Sequence, residues 1–205
     1  MINEWYPWLD SQKLAKINSY KAELLKFNDS INLISPNTIK GFDNVHLADC
    51  IAAATFVLER VSAEPLYDLG SGNGLPGIVM AILNPDRKII LVDRDIKKVE
   101  FMKHVINDLK LENASCLVKN LGQESIQFTS QAISRAMAPM GRMLKTIKDS
   151  ITKGNKIFLM KTPKWESELA TDHSHLEKNW SWSIVHEYSL PQDNQKRVII
   201  EAVKS

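Results

Sequence analysis

Cysteine is scarce in this chain, and its two cysteines stand far apart. Cys50 and Cys116 form no CxxC motif and no paired cysteine–histidine ligand set. This pattern argues against a disulfide framework and against a zinc site, and it fits a reducing compartment. We therefore expect a protein that holds no metal.

Long hydrophobic runs are also missing, and the excess of positive charge is small. No apolar run is long enough to cross a bilayer, and the start, Met-Ile-Asn-Glu-Trp, lacks the regions of a secretory signal. A cytoplasmic protein without membrane contact is therefore expected. The formal net charge is only +2. Binding of a nucleic acid would thus depend on a local basic face, because the overall field is weak.

The first part of the chain has the periodicity of helices. Apolar residues at steps of three and four predict an amphipathic helix over residues 11–27, with Asp10 or Ser11 as its cap. A second apolar helix is predicted over residues 47–58. We interpret residues 1–60 as an N-terminal helical extension that packs on the domain that follows.

From residue 61 to residue 205, strand-like and helix-like segments alternate. Strands are predicted at 66–67, 88–92, 115–118, 132–134 and 156–160, with helices at 78–83, 96–109 and 144–151. Such alternation indicates a parallel sheet with helices on both faces. The runs 182–190 and 197–203 instead predict a hairpin, which adds antiparallel strands. The expected fold is a doubly wound α/β sheet with a C-terminal antiparallel hairpin.

The most informative segment reads Leu-Tyr-Asp-Leu-Gly-Ser-Gly-Asn-Gly-Leu-Pro-Gly over residues 66–77. It describes a strand, a tight glycine turn and the start of a helix, with Pro76 suited to the first helical turn. Since glycine has no side chain, backbone N–H groups can approach a cofactor there. The turn contains the GxGxxG spacing of nucleotide cofactors, and Asp93 ends the next strand, where an acid can accept ribose hydroxyls.

Asp68, at the end of the strand before the glycines, bears on the choice of cofactor. Its charge would oppose the pyrophosphate of a dinucleotide and would attract the amino group or sulfonium of S-adenosylmethionine. The residue therefore favours S-adenosylmethionine over NAD. The alternative is that Asp68 only forms the turn or caps the helix, since aspartate is common at such positions.

Several motifs follow one another in a fixed order. They are Asp-Leu-Gly-Ser-Gly-Asn-Gly-Leu-Pro-Gly at 68–77, Leu-Val-Asp at 91–93, Leu-Lys-Leu-Glu-Asn at 109–113 and Ser-Arg-Ala at 134–136. Upstream lie Asn32-Leu33 and His46-x-x-Asp49. Together they resemble the bacterial 16S ribosomal RNA (guanine-N7) methyltransferase G family, also called glucose-inhibited division protein B. The resemblance runs from about Tyr20 to Lys204.

The resemblance implies a fold, an activity and a set of site residues. The fold would be that of a class I, Rossmann-like S-adenosylmethionine-dependent methyltransferase. The activity would be methylation of N7 of one guanine in the RNA of the small ribosomal subunit or its assembly intermediate. The implied cofactor-binding residues are Asp68, Gly70, Gly72, Gly74, Leu75, Asp93, Leu121, Gly122 and Arg135. The implied RNA-binding residues are Asn32, His46, Arg135 and Lys161.

The sequence departs from the family pattern at several of these elements. Gly122 stands in place of an acid that contacts adenine, so that contact would come from the backbone, Gln123 or Glu124. The other departures are Val45 for an arginine, Cys50 for a serine, Ile34 for a threonine and Thr162 for a glycine.

The reaction type is also indicated by motifs that the chain does not have. It has no Asn/Asp-Pro-Pro-aromatic motif for an exocyclic amine, and neither cysteine is placed to attack a pyrimidine. Guanine N7 already carries a lone pair and needs no general base, only alignment with the methyl group. We therefore assign no catalytic base and take Arg135 as the best candidate for positioning.

Three other functions remain open at this stage. They are a small-molecule methyltransferase, a non-catalytic cofactor-binding protein of RNA or ribosome assembly, and an NAD-dependent oxidoreductase. Local lysine and arginine clusters count against the first. The absence of a Tyr-x-x-x-Lys pair counts against the last. The substrate is open between naked rRNA, a 30S particle and an assembly intermediate, and a monomer is expected.

Overall fold

A seven-stranded sheet lies at the centre of the molecule. The computed structural model describes residues 2–62, 65–123, 128, 130–169 and 176–205. The strands are β1 (Leu66–Leu69), β2 (Ile89–Asp93), β3 (Ala114–Val118), β4 (Ala132–Arg135), β5 (Lys156–Lys161), β6 (Trp180–Ser189) and β7 (Lys196–Lys204). Their order in the sheet is β3-β2-β1-β4-β5-β7-β6.

Helices cover the N-terminal part and connect the parallel strands. The α-helices are α1 (Ile2–Trp5), α2 (Ser11–Ile31), α3 (Pro36–Ile39), α4 (Asp49–Leu58), α5 (Gly77–Leu83), α6 (Ile96–Asp108) and α7 (Met140–Ile147). A π-helical segment, Asp43–Ala48, leads into α4, and a 3₁₀ helix spans Trp165–Glu168. None of the helices in the described ranges is long and apolar enough to span a membrane.

The pairing of the strands confirms the predicted sheet. Strands β3, β2, β1, β4 and β5 pair in parallel. Strand β7 runs antiparallel to both β5 and β6, as the C-terminal hairpin required. Because β1 lies between β2 and β4, the order of strands reverses at β1. Ligands of open α/β sheets bind at the carboxyl ends of the strands beside such a reversal.

The N-terminal helices share an apolar core with one face of the sheet. Helix α2 begins at Asp10, whose side chain accepts a hydrogen bond from Lys13 N, and continues past the predicted end to Ile31. Its buried side includes Tyr20 and Leu24, which belong to the same apolar cluster as residues of α5 and β2. The proposed division of the chain at residue 60 stays a prediction, and this core extends across it.

Helix α7 lies four residues earlier than the periodicity predicted. It begins after Pro139, where the backbone N–H of Met140 donates to Glu168 Oε2 at 2.8 Å. This carboxylate caps the helix from a distant part of the chain, so the local pattern does not reveal it. The helix ends at Ile147, and Ile151 instead forms a parallel bridge with Phe128.

Candidate active site

A cavity of about 650 Å³ lies where β1, β2 and β4 end. The glycine turn follows β1, Asp93 ends β2 and Arg135 ends β4, so three separate motifs meet at one place. The predicted site residues that line the cavity are His46, Gly70, Gly72, Leu75, Asp93, Leu121 and Arg135.

The glycine turn leaves open space above Gly72. This residue has φ of +58°, which favours glycine, and an added Cβ would meet no atom nearer than Gly70 O at 3.9 Å. A side chain here would therefore project into space that a ligand can use. Gly74 differs, because a Cβ there would lie 2.7 Å from Ile78 Cγ1. It packs against α5 outside the cavity lining, and its role in cofactor binding stays a prediction.

Asp93 ties the end of β2 to the glycine turn. Its Oδ2 accepts a hydrogen bond from Gly72 N at 2.8 Å, and its Oδ1 accepts from Asp95 N at 2.9 Å. A carboxylate oxygen can accept more than one hydrogen bond. Since Asp93 lines the cavity, its remaining acceptor positions suit the two hydroxyls of a ribose.

Asp68 lies beneath the glycine turn and has no exposed surface. Its Oδ2 accepts from Gly77 N at 2.9 Å, whereas its buried Oδ1 has no hydrogen-bond partner among the described residues. Burial raises the pKa of this carboxyl group to about 7. The side chain does not line the cavity, so its expected attraction for a cofactor would act from beneath the turn.

These features fit S-adenosylmethionine. The space above Gly72 accommodates the methionine end against the backbone, and Asp93 offers acceptors for the ribose. The unpartnered oxygen of Asp68 supplies a buried negative charge when ionised, which suits a ligand with an amino group and a sulfonium.

Arg135 and His46 form a polar pair in the wall of the cavity. Arg135 Nη1 lies 3.1 Å from His46 Nδ1. Because arginine can only donate, Nδ1 accepts and the imidazole proton is placed on Nε2. Burial and the charge of Arg135 lower the pKa of His46 to about 4, so the ring is neutral at pH 7. Two of the four predicted RNA-binding residues are therefore brought together.

Asp49 connects this pair to the C-terminal hairpin. The carboxylate is only 5% exposed, and its Oδ2 lies 3.6 Å from Arg135 Nη1. Its Oδ1 accepts a hydrogen bond from Tyr188 OH at 2.7 Å and lies 3.7 Å from Arg197 Nε. Tyr188 and Arg197 were not predicted as site residues, since no motif links β6 and β7 to the helical extension.

Leu121 and Gly122 are placed differently from each other. Leu121 lines the cavity, together with Asn120. Gly122 lies outside the lining, and an added Cβ would come within 3.0 Å of Thr146 Cγ2. The adenine contact expected of Gly122 stays a prediction, and Glu124 is outside the described residues.

Asn32 and Lys161 do not line the cavity. Asn32 is exposed and ends α2 with φ of +51°. Lys161 was expected to face RNA, but its side chain is only 8% exposed. Its Nζ donates to Ala138 O at 3.0 Å and pairs with Glu168 Oε2 at 2.6 Å. As placed, Lys161 holds the segment after β4 with its charge paired, and its contact with RNA stays a prediction.

Four basic residues surround the cavity. Arg94 follows β2, Lys119 follows β3 and Arg142 lies in the first turn of α7, while Lys98 comes from α6. Lys98 and Arg142 belong to basic clusters that the sequence shows, whereas the signal for Arg94 and Lys119 is their position just after neighbouring parallel strands, whose ends converge at one edge of the sheet. The cavity therefore combines a nucleotide-type turn with several cationic side chains.

The chain matches the family model of GidB, rRNA small subunit methyltransferase G, over residues 13–199. It belongs to this family. Ribosomal RNA small subunit methyltransferase G 3 of Bdellovibrio bacteriovorus is 36% identical over 93% of this chain and 86% of its own length. Ribosomal RNA small subunit methyltransferase G of Paracoccus denitrificans is 29% identical over 85% of this chain and 87% of its own.

Solved structures share the fold at low sequence identity. A SAM-dependent methyltransferase from Aquifex aeolicus has a TM-score of 0.56 and 13% identity, covering 84% of this chain and 100% of its own. An rRNA methylase from Streptococcus thermophilus has a TM-score of 0.50 and 16% identity, covering 75% and 94%. The class I methyltransferase fold is thus confirmed.

Family and fold together confirm the type of enzyme and the cofactor. The chain is an S-adenosylmethionine-dependent rRNA methyltransferase. The NAD-dependent oxidoreductase and the non-catalytic binding protein are thereby excluded as alternatives. The roles of the individual site residues in binding cofactor and RNA remain predictions.

Proposed function

We propose that this protein transfers a methyl group to N7 of a guanine in 16S rRNA of the small ribosomal subunit. The observation that carries the proposal is that the acid and the histidine in the cavity wall already accept hydrogen bonds from the protein. Both Asp93 oxygens already accept backbone hydrogen bonds, and His46 Nδ1 accepts from Arg135. Such a wall suits a nitrogen that needs no general base, because N7 presents its own lone pair.

Each group of residues has a distinct part in this proposal. Bound S-adenosylmethionine supplies an electrophilic methyl group on a positively charged sulfur. The chain holds the methionine end at Gly70, Gly72 and Leu75, the ribose at Asp93, and the adenine near Leu121 and Gly122, with Asp68 adding charge from beneath. These contacts orient the methyl group, and rate enhancement then comes from proximity to the entering base.

Arg135 would select and align the guanine. Guanine presents two acceptors, N7 and O6, on the edge where it is methylated, whereas adenine presents an amino donor beside its N7. A guanidinium that donates to O6 leaves N7 free for the methyl group and disfavours adenine. His46 and Asp49 hold this guanidinium from its Nη1 side.

The cationic side chains around the cavity would contact RNA phosphates. Arg94, Lys98, Lys119 and Arg142 give this region a positive charge that the net charge of the chain does not predict. We propose that the enzyme works in the cytoplasm as a monomer, on the 30S particle or an assembly intermediate. Light scattering of the purified protein, alone and with rRNA, tests the monomer.

Mapping N7-methylguanine in 16S rRNA tests the function directly. A deletion strain should lose one methylated guanine, and the wild-type gene should restore it. Purified enzyme with S-adenosylmethionine should then methylate the same base in naked 16S rRNA, in 30S particles or in precursors from the deletion strain. Full methylation of every N7 site in the deletion strain would refute the proposal. Transfer to small molecules alone would favour the small-molecule alternative.

A further inference from the structure

The C-terminal hairpin reaches the active site through one pair of opposed residues. Tyr188 of β6 and Arg197 of β7 are directly paired across the hairpin. Both side chains meet Oδ1 of Asp49, at 2.7 Å from the Tyr188 hydroxyl and 3.7 Å from Arg197 Nε. This one cross-strand pair of the hairpin therefore contacts Oδ1 of Asp49, a residue of the N-terminal helices.

The two oxygens of Asp49 have different partners. Oδ1 faces the hairpin, while Oδ2 lies 3.6 Å from Arg135 Nη1 at the cavity. Asp49 is almost completely buried, so water screens these charges little. Burial raises the pKa of Asp49, and the charge of Arg135 opposes that rise. The Tyr188 hydroxyl, as a hydrogen-bond donor, favours the ionised carboxylate and fixes its orientation.

Arg135 is consequently held from one end of its guanidinium. Nη1 lies between Asp49 and His46, and these are the polar side chains that the described structure places on Arg135. A guanidinium is planar, so fixing Nη1 by two neighbours limits the directions in which Nη2 and Nε can point. Since Arg135 lines the cavity, this restricts how the group meets a ligand.

We infer that Tyr188, together with Arg197, is a positioning residue for methyl transfer: it fixes Asp49, and Asp49 fixes Arg135. The inference rests on the proposed role of Arg135 at the target base. It makes the hairpin, far from the glycine turn in sequence, a part of the active site. Tyr188 touches neither the cofactor nor the base in this arrangement.

Tyr188→Phe removes the hydroxyl and keeps the ring. We expect kcat for rRNA methylation to fall on the order of tenfold, the size of one lost hydrogen bond to a charged group, with the affinity for S-adenosylmethionine little changed. The control is Tyr67→Phe, which removes a hydroxyl from a ring that packs on Phe128 away from this cluster. That variant should keep wild-type kcat. A Tyr188→Phe enzyme with wild-type kcat would overturn the inference.

A double-mutant cycle separates positioning from a general structural effect. In an Arg135→Ala background, Tyr188→Phe should cause no further loss of kcat, because the group that it positions is gone. If the double variant instead lost kcat by the product of the two single-variant factors, the inference would be overturned. If Tyr188→Phe does not fold, Arg197→Lys replaces it, because this change keeps the charge and removes the Nε contact. We then expect the same fall in kcat, and no further loss of kcat in the Arg135→Ala background.

The titration of His46 gives a readout that needs no substrate. NMR of the labelled imidazole should show its pKa rising above about 4 in Tyr188→Phe as Arg135 moves away from the ring, while burial, which is the larger cause of the lowered pKa, still keeps it below 6.5. An unchanged pKa would contradict the inference even if no rRNA substrate were accepted. Wild-type enzyme that is inactive on every rRNA substrate would refute the proposed function and leave this titration to decide the positioning role.

Discussion

His46, which is half-buried, and Asp68, which is fully buried, have displaced pKa values that link the behaviour of the protein to pH. The pKa of His46 is lowered to about 4, mainly by burial. Its ordinary value is 6.5, so between these values the unfolded chain binds a proton that the folded chain does not. The contribution of neutral His46 to stability is therefore lost as pH falls from about 6.5 to about 4.

This dependence can be measured by urea unfolding at several pH values. The wild-type free energy of unfolding should fall more steeply between about pH 7 and about pH 5 than that of His46→Gln, which cannot take up the proton. Equal slopes for wild type and His46→Gln would contradict the assigned burial.

Asp68 should link cofactor binding to pH. Its pKa is raised to about 7, so the carboxyl group is largely protonated at about pH 6. A cationic ligand favours the ionised form, and the affinity for S-adenosylmethionine should therefore rise from about pH 6 to about pH 7.5. Calorimetry on Asp68→Asn should show weaker binding without this rise. Asp93→Asn should weaken binding and keep the pH slope.

Gly72→Ala tests the space above the glycine turn. The substitution places a methyl group where the cofactor would lie, at a residue with φ of +58°. We expect a loss of stability of roughly 1–2 kcal/mol from the backbone and a loss of cofactor affinity on the order of tenfold or more. Gly154→Ala is the matched control. It has φ of +84° and no atom within 4 Å of the added Cβ, so it should lose stability alone.

At the scale of elements, helix α2 supports the glycine turn. The hydroxyl of Tyr20, which is fully buried, donates to Asn73 O at 2.9 Å. Tyr20→Phe would leave this carbonyl without its donor and should cost about 1–3 kcal/mol of unfolding free energy. Thermal unfolding with and without S-adenosylmethionine should show a smaller stabilisation by the cofactor in the variant. An unchanged stabilisation would mean that the turn keeps its shape without α2.

The elements that the sequence predicted well are those with a strong local pattern. Apolar spacing placed α2 and α6, and short β-branched runs placed the parallel strands. Helix α7 was displaced, because its first turn is capped by Glu168 and follows Pro139. The π-helical segment Asp43–Ala48 was not predicted as a π-helix, because its wider turn does not follow the 3.6-residue period of an α-helix.

At the scale of the molecule, the basic residues around the cavity should make RNA binding sensitive to salt. Contacts between cationic side chains and phosphates release counterions, so affinity for 16S rRNA should fall linearly on a logarithmic salt scale. Arg142→Gln should weaken binding and reduce the slope by about one. Lys26→Gln, at a residue outside the cavity wall that pairs with Glu23, should change neither. A slope that is unaffected by Arg142→Gln would place the RNA elsewhere.

The site as a whole was predictable only in part. The glycine turn, Asp93 and Arg135 carry motifs, and the parallel sheet brings them to one cavity. The grouping of Asp49 with Tyr188 and Arg197 joins residues from opposite ends of the chain, so no local pattern reports it. The pairing of Lys161 was not predicted either, because no local pattern shows that Glu168 pairs with it.

The position of β7 in the sheet has a consequence for synthesis. It is the last strand of the described chain to be made, yet it lies between β5 and β6. A nascent chain that stops before residue 196 has no partner for the edge of β5, and Asp49 still lacks Arg197. Competence for catalysis is therefore expected to come late in translation. Arg135 would then be aligned only after β7 has been synthesised and has paired with β5 and β6.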